Sequence, residues 1–365
     1  MNVFVVNAGS SSLKLRLLDS TDAIVASQDL ARPGPADLRN VLGAFLDEHP
    51  DIDAVGHRVV HGGSAFTQPV LLDEVVETRL EELKDLAPLH NPPSLAAIEA
   101  LASLRPELGQ VACFDTAFHA DMPPKAATYA VPRMWRERWG IRRFGFHGLS
   151  HSWASRRAGE LLGRPRDQLR LVTAHIGAGA SLAAVFHGGS VDTTMGFTPM
   201  EGLVMATRSG SVDPGILLWV QRHGGLSLTD VEHALEHESG LRGLSGGSGD
   251  LREVHAAMDA GDDDARLAYE VYVYRLQCGV AAMAAAMGGF DALVFTGGAG
   301  EGDPLLRADT CGGLGFLGVR PLPPSDDERA GDRLVSAIGS STAVLVVSAR
   351  EDLEIARHVR SLLER

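Results

Sequence analysis

Two arginines occupy glycine-flanked segments, Gly56-His57-Arg58-Val59-Val60-His61-Gly62-Gly63 and Ala206-Thr207-Arg208-Ser209-Gly210. A third segment of the same kind, Gly145-Phe146-His147-Gly148, carries a histidine. A guanidinium offers a planar fork of donors to carboxylate or phosphate oxygens that lysine does not reproduce. The chain as a whole is acidic, with 33 basic and 47 acidic side chains and a formal net charge of -14. Positive groups on turns within a negative surface suit a small, highly charged anion, and a phosphoryl group is the first candidate. Charge that builds on the oxygens of a transferring phosphoryl group is what such side chains stabilise.

Glycine turns supply the second kind of group. Asn7-Ala8-Gly9-Ser10-Ser11-Ser12 follows an apolar run and leads to Lys14; Gly177-Ala178-Gly179 and Gly297-Gly298-Ala299-Gly300 each follow another. Strand, glycine turn and helix together seat phosphate or ribose on backbone N–H groups. There is neither a Walker A sequence nor a G-x-G-x-x-G opening an N-terminal βαβ unit. Asp115 ends an apolar run and Glu351 starts the last helical pattern, so both are read at strand ends, where ligands gather in α/β sheets. Helix capping is the competing reading of Asp115. Two such acids suit Mg²⁺, which binds through one or two carboxylates plus substrate phosphate. The pairs His57/His61 and His147/His151 have i, i+4 spacing, which leaves a zinc hydrolase as a rival, although no H-E-x-x-H is present.

The elements that must carry these groups are legible in outline. Val3–Val6 and Leu13–Leu17 form a strand pair about the first turn, and Leu171–Ile176 and Ser181–Phe186 repeat that layout near mid-chain, which predicts a duplicated architecture. Ala265–Met287 reads as a helix, Asp291–Phe295 and Ala343–Val347 as buried strands, and Glu351–Leu363 as a terminal helix. The 365 residues predict two domains, divided near Asp121-Met122-Pro123-Pro124. The division reads 1–120 and 121–352, with a helix over 353–365 packing back on the first. The acid excess argues against nucleic-acid binding. The longest apolar stretch, Cys278–Phe290, is too short for a membrane span. Three widely spaced cysteines suit the cytoplasm, and no signal peptide is evident.

Taken together the segments resemble the acetate kinase family. The matching pieces run in order over nearly the whole chain: Asn7–Lys14, His57–Gly63, Leu86-Ala87-Pro88-Leu89-His90-Asn91-Pro92, Phe114-Asp115-Thr116-Ala117-Phe118-His119, Gly145–Gly148, Asp192-Thr193-Thr194-Met195-Gly196-Phe197-Thr198-Pro199 and Thr207–Gly210. The resemblance implies an α/β, two-domain actin-like ATPase fold of duplicated ribonuclease H-like domains around a central cleft. It implies reversible transfer of the γ-phosphoryl group of ATP to acetate, giving acetyl phosphate and ADP, with Mg²⁺ (or Mn²⁺) and a homodimer. Arg58, Arg208, His147, His90 and Asp115 are the implied catalytic residues, with His147 and Arg208 stabilising the transition state. Arg58, Val60, Leu89, Phe146 and Pro199 would hold the acid. Asn7 and Glu351 would serve the metal. The nucleotide would meet Lys14, His175, Gly177, Gly179, Asp250, Leu251, Arg252, Gly297, Gly298 and Gly300.

The chain departs from that pattern at Ala178 (usually Asn), Ser211 (usually acidic), Gly302 (usually Asn) and Ala349-Arg350 (usually Thr-Asn). Two other readings therefore stand: a kinase with another short acid or another donor such as pyrophosphate, and a low-turnover nucleotide- or acyl-phosphate-binding regulator.

Overall fold

The structure, a computed structural model, describes every residue except 10, 11, 85–90, 322, 324–329 and 365, and every described side chain except those of 35 and 36. The chain divides into two compact units, Met1–Ala120 with Phe146–Trp153 and Arg350–Arg365, and Asp121–Gly145 with Ala154–Ala349.

The first unit is built on six strands: β1 (Val3–Ala8), β2 (Ser12–Leu18), β3 (Ile24–Ala31), β4 (Ala54–Val59), β5 (Val70–Leu71) and β6 (Gly109–Phe114). They pair in the order β3-β2-β1-β4-β6-β5, with β1, β4 and β6 parallel and the outer pairings antiparallel. Strands buried on both faces read as continuous apolar runs, and β1 is one. Its alternate residues serve two layers. Phe4 and Val6 face a cluster with Leu38, Leu42 and Phe45 of the helix Pro35–Glu48 and with Ala97 and Leu101 of the helix Asn91–Leu104. Val3 and Val5 face Ile355, Ala356 and Val359 of the helix Glu351–Leu363. Gly56 permits that second layer, since a Cβ there would lie 2.4 Å from Ile355 Cγ2.

The second unit repeats the plan with β7 (Arg170–Ile176), β8 (Ala180–Phe186), β9 (Gly189–Thr193), β10 (Ala292–Thr296), β11 (Arg333–Leu334) and β12 (Ala343–Val346). Its order is β9-β8-β7-β10-β12-β11, and each pairing has the sense of its counterpart: β7, β10 and β12 are parallel and the rest antiparallel. Two mixed sheets with one topology are the duplicated ribonuclease H-like domains of the actin-like fold.

The division differs from the sequence reading in two places. Phe146–Trp153 joins the first unit, because Gly148 N–H donates to the Asp115 carbonyl at 2.9 Å and Leu149 packs with Val3, Val5 and Ile355. The terminal helix starts at Glu351, so that residue also belongs to the first unit and not to 121–352. Among the described residues no helix is long and apolar enough to cross a membrane.

Candidate active site

Three neighbouring parallel strands of the first unit deliver one polar group each at their C-terminal ends: Asn7 from β1, Arg58 from β4 and Asp115 just past β6. The order β1-β4-β6 sets them side by side. Arg58 Nε donates to Asp115 Oδ1 at 3.1 Å and to Oδ2 at 3.2 Å, and its Nη2 donates to Oδ2 at 2.5 Å. Arg58 Nη1 donates to Asn7 Oδ1 at 3.2 Å. Asn7 Nδ2 in turn donates to Glu351 Oε2 at 3.1 Å, and Glu351 lies 3.8 Å from Arg58 Nε. The Asn7 amide thus spends both ends on orienting its neighbours.

The charges in this cluster oppose and support one another. Burial works against the Arg58 cation, but Asp115 and Glu351 outweigh it and hold its pKa above the ordinary arginine value. Burial raises the Asp115 carboxyl above the usual carboxylate range; Arg58 and the His147 backbone N–H pull it back, while Glu351 adds to the rise. Arg350, the residue that neighbours Glu351, is engaged by Asp352 at 2.8 Å.

His147 has a left-handed backbone, with φ 56°. A non-glycine residue in that region is held there by its surroundings. Gly148 follows because a Cβ would lie 2.1 Å from the Asp115 carbonyl oxygen. Apolar groups line the same unit: Val60 and Phe146 are both buried, and Phe146 meets His61 edge-on with ring centroids 5.3 Å apart. His61 is bracketed by Asn91, whose Oδ1 accepts from His61 N–H at 3.0 Å and whose Nδ2 donates to the His61 carbonyl at 3.1 Å. His90 and Leu89, both candidates by resemblance, lie outside the described residues.

Arg208 belongs to the second unit. Its Nη1 donates to the Pro199 carbonyl at 3.4 Å, and its Nε lies 3.9 Å from Glu236. Burial depresses its pKa, with Glu236 acting the other way, though a guanidinium stays charged throughout the working pH range. The turn around it is fixed by backbone bonds from Ser209 to Leu235, from Ser239 to Thr207 and from Ala206 to Ala178. Ala178 therefore joins the first glycine loop of this unit to the Arg208 segment through its carbonyl.

The glycine loops sit at the ends of adjacent parallel strands, Gly177–Gly179 after β7 and Gly297–Gly300 after β10. Gly177 N–H donates to the Gly179 carbonyl at 2.9 Å. Gly297 has φ 80°, and a Cβ there would lie 2.8 Å from the Ile176 carbonyl oxygen, so the two loops abut closely. Gly298 begins a short helix and has open space where a Cβ would be. Glu301 accepts from Gly297 N–H at 3.1 Å and from Ala349 N–H at 2.9 Å. Asp250 caps the helix Leu251–Asp259 by accepting from Arg252 N–H, and its side chain pairs with that of Arg252 at 2.5 Å. His175 is half-buried on β7, Pro199 is buried, and Lys14 stands exposed on β2 opposite Asn7.

The histidine spacings do not form metal faces. His57 is on β4, a strand, with Nε2 2.7 Å from Gln110 Oε1, and His61 lies beyond that strand. His147 precedes the helix Gly148–Leu162 that holds His151. Among the described residues no three His, Cys, Asp or Glu side chains gather as a metal cluster. Sequence reasoning missed Asn91, Glu236 and Glu301 as supports. Asn91 stood in a recognised segment, and Glu301 closes a glycine run, but nothing local marks Glu236.

Comparison with known proteins agrees with this geometry. The model of the acetokinase family matches residues 36–357. An acetate kinase from Deinococcus deserti is 47% identical, with 100% of this chain and 98% of that protein covered. The crystal structure of Porphyromonas gingivalis acetate kinase superposes with a TM-score of 0.91 at 38% identity, covering 99% of each chain. A propionate kinase from Francisella tularensis gives a TM-score of 0.91 at 34% identity, again over 99% of each chain. With the family match over most of its length and relatives that align end to end, the chain belongs to the acetokinase family.

Proposed function

We propose that this chain transfers the γ-phosphoryl group of ATP to the carboxylate of acetate, reversibly, giving acetyl phosphate and ADP. The observation that carries the reading is the cluster of Asn7, Arg58 and Asp115 on three adjacent strand ends with Glu351 at the start of the terminal helix, and Val60 and Phe146 buried in the same unit. Full-length relatives named acetate kinases support it.

A carboxylate is already a nucleophile at neutral pH, so the reaction needs no strong base. Alignment and charge neutralisation are then the main demands. Asp115 grips the Nε and Nη2 edge of Arg58 and Asn7 accepts from Nη1, which leaves the second N–H of Nη1 to orient an oxyanion. His147, fixed by its strained backbone, donates a hydrogen bond to the transferring phosphoryl group, and Arg208 neutralises charge that builds on it. Val60 and Phe146 meet the methyl group of the acid, and Pro199 is a further residue assigned to it. The N–H groups of the two glycine loops hold phosphates, assisted by His175 and Lys14, and the Asp250–Arg252 helix start meets the adenosine.

Glu351 fits a hard divalent cation. Its carboxylate is 17% exposed and steered by Asn7, and Mg²⁺ needs only one or two protein carboxylates beside phosphate oxygens. When bound, Mg²⁺ or Mn²⁺ would neutralise phosphate charge. A homodimer is part of the same reading, supported by the exposed apolar residues Ile216, Leu218 and Trp219 on the helix Pro214–Gly224 and by Leu228. The free cysteines Cys113, Cys278 and Cys311 suit a reducing cytoplasm.

Trapping the product with hydroxylamine tests the reading. ATP, Mg²⁺ and acetate should give acetyl hydroxamate, and pyrophosphate should give none. Thermal stabilisation by ATP with no hydroxamate from any short acid would mark a binding protein instead.

A further inference from the structure

The nucleotide segments of the second unit are held together by a pair that no step above uses. His255 lies one helical turn after the start of Leu251–Asp259, and its Nε2 is 2.8 Å from Asp303 Oδ2. Asp303 follows directly on the short helix Gly298–Gly302 that carries the second glycine loop. Its other oxygen, Oδ1, accepts from Leu306 N–H at 2.9 Å and so caps the helix Pro304–Gly312. One residue therefore terminates the glycine segment through its backbone N–H, and its carboxylate starts the next helix and reaches across to the helix that begins after Asp250.

The remaining contacts make this a rigid mount. Arg307, 2% exposed, donates to the carbonyls of Gly300 at 2.8 Å and Glu301 at 2.9 Å, securing the glycine segment from its C-terminal side. Glu301 secures it at Gly297. These bonds all lie within the Gly297–Arg307 segment or its own sheet. The bond from His255 ties it to the Asp250–Asp259 helix. The His255 ring also packs edge-on against Tyr269, with centroids 4.8 Å apart, and Tyr269 donates to Asp309 at 2.8 Å.

We propose that His255 and Asp303 are a positioning pair for the nucleotide: together they set the spacing between the Asp250–Arg252 helix start and the Gly297–Gly300 loop. The inference rests on the nucleotide reading given above. Neither residue touches ATP; both act through the segments they join.

The pair carries a pH signature that a plain structural contact lacks. The groups facing His255 are Asp259 on its own helix, Tyr269 from the helix Asp263–Met287, and Asp303 and Asp309 at the Pro304–Gly312 helix, with Tyr272 acting on Asp303. Its pKa is raised, chiefly by the hydrogen bond to Asp303, and burial acts the other way. The charged pair is therefore complete below the ordinary histidine range and weakens as pH rises through the folded-state value.

Titration calorimetry of the whole chain with ATP and Mg²⁺ tests this, comparing wild type with Asp303→Asn and His255→Gln at pH 6.5 and 9.5. Asparagine keeps the helix cap but not the charge, and glutamine keeps a donor that does not titrate. The ratio of variant to wild-type Kd cancels the titration of ATP itself. For Asp303→Asn it should be about five- to tenfold at pH 6.5 and about twofold or less at 9.5. For His255→Gln it should also narrow as pH rises. Melting temperatures recorded alongside separate lost binding from lost fold. Ratios near one at both pH values would reduce the pair to a staple of the fold. A ratio that stays large at pH 9.5 would equally overturn it. Absence of ATP binding by wild type at either pH would instead sink the nucleotide reading itself.

Discussion

Arg58 and Asp115 meet edge to edge, with Nε 3.1 and 3.2 Å from the two carboxylate oxygens and Nη2 2.5 Å from one of them, and the acid is fully buried. Their strands are adjacent, so the sheet itself brings the two groups together. The pair fixes a guanidinium in one orientation, which a solvent-exposed arginine does not achieve.

Arg58→Ala should cost both stability and activity. It leaves the Asp115 carboxylate buried without its counter-charge, a change typically worth about 3–5 kcal/mol. A fall of that order in the unfolding free energy from urea titration, seen as a lower midpoint, with turnover abolished, is the expected result. An unchanged midpoint would show that Asp115 has another partner of equal worth.

Arg208→Ala should separate catalysis from binding. Loss of a donor that stabilises transition-state charge typically lowers kcat by about 10²–10³-fold. Affinity for ATP should stay within about threefold, since the glycine loops hold their own backbone bonds. Turnover close to wild type would remove Arg208 from the reacting group.

Acid preference should respond to Val60, which is buried at 7% exposure. Val60→Ala makes room for one further carbon. The ratio of kcat/KM for propionate to that for acetate should rise about 5- to 100-fold, since one methylene is worth about 1–3 kcal/mol in an apolar pocket. A constant ratio would place the methyl group of the acid elsewhere.

Stability should fall in mild acid. Burial depresses both His57 and His119 to about 4, with Gln110 and the Phe146 carbonyl as their partners. Unfolded histidine takes its proton near 6.5, so each ring favours the folded state above that pH. The contribution disappears as pH drops from about 6.5 toward 4 and amounts to about 3 kcal/mol per ring when fully lost. Denaturation midpoints at pH 7.5, 5.5 and 4.5 should decline with proton uptake on unfolding. A flat profile over this window would mean that both rings are protonated in the folded protein.

The glycine loop offers a gain-of-function test. The Ala178 side chain is exposed while its carbonyl accepts from Ala206. Ala178→Asn adds an amide without disturbing that bond, and KM for ATP should fall. No change in KM or kcat would show that the loop meets phosphate through its backbone alone.

Much of this was legible in the chain. Apolar runs ending in glycine turns located β1, β7 and β10, because a strand buried on both faces leaves a continuous apolar signature. Arg58 stood out between a strand pattern and glycines, His147 on a glycine-flanked turn, and Asp115 at the end of an apolar run. The supports were hidden for a physical reason. Asn91 brackets His61 from 30 residues away and Glu236 lies 28 residues from Arg208; such bonds depend on the folded path and leave no local pattern. The return of Phe146–Trp153 to the first unit was hidden likewise, since it depends on Gly148 meeting the Asp115 backbone. Arg350 looked like a neighbour for Glu351 and instead pairs with Asp352, two residues on in the first turn of the terminal helix.

The proposed function stands or falls on whether an acetate oxygen becomes bonded to the γ-phosphoryl group of ATP. Acetate labelled with ¹⁸O in its carboxyl group, mixed with ATP, Mg²⁺ and the protein, tests this by ³¹P NMR. Phosphoryl transfer to acetate gives ADP and an acetyl phosphate resonance displaced by one ¹⁸O on phosphorus. Formation of AMP with pyrophosphate, or acetyl phosphate without the isotope shift, would overturn it.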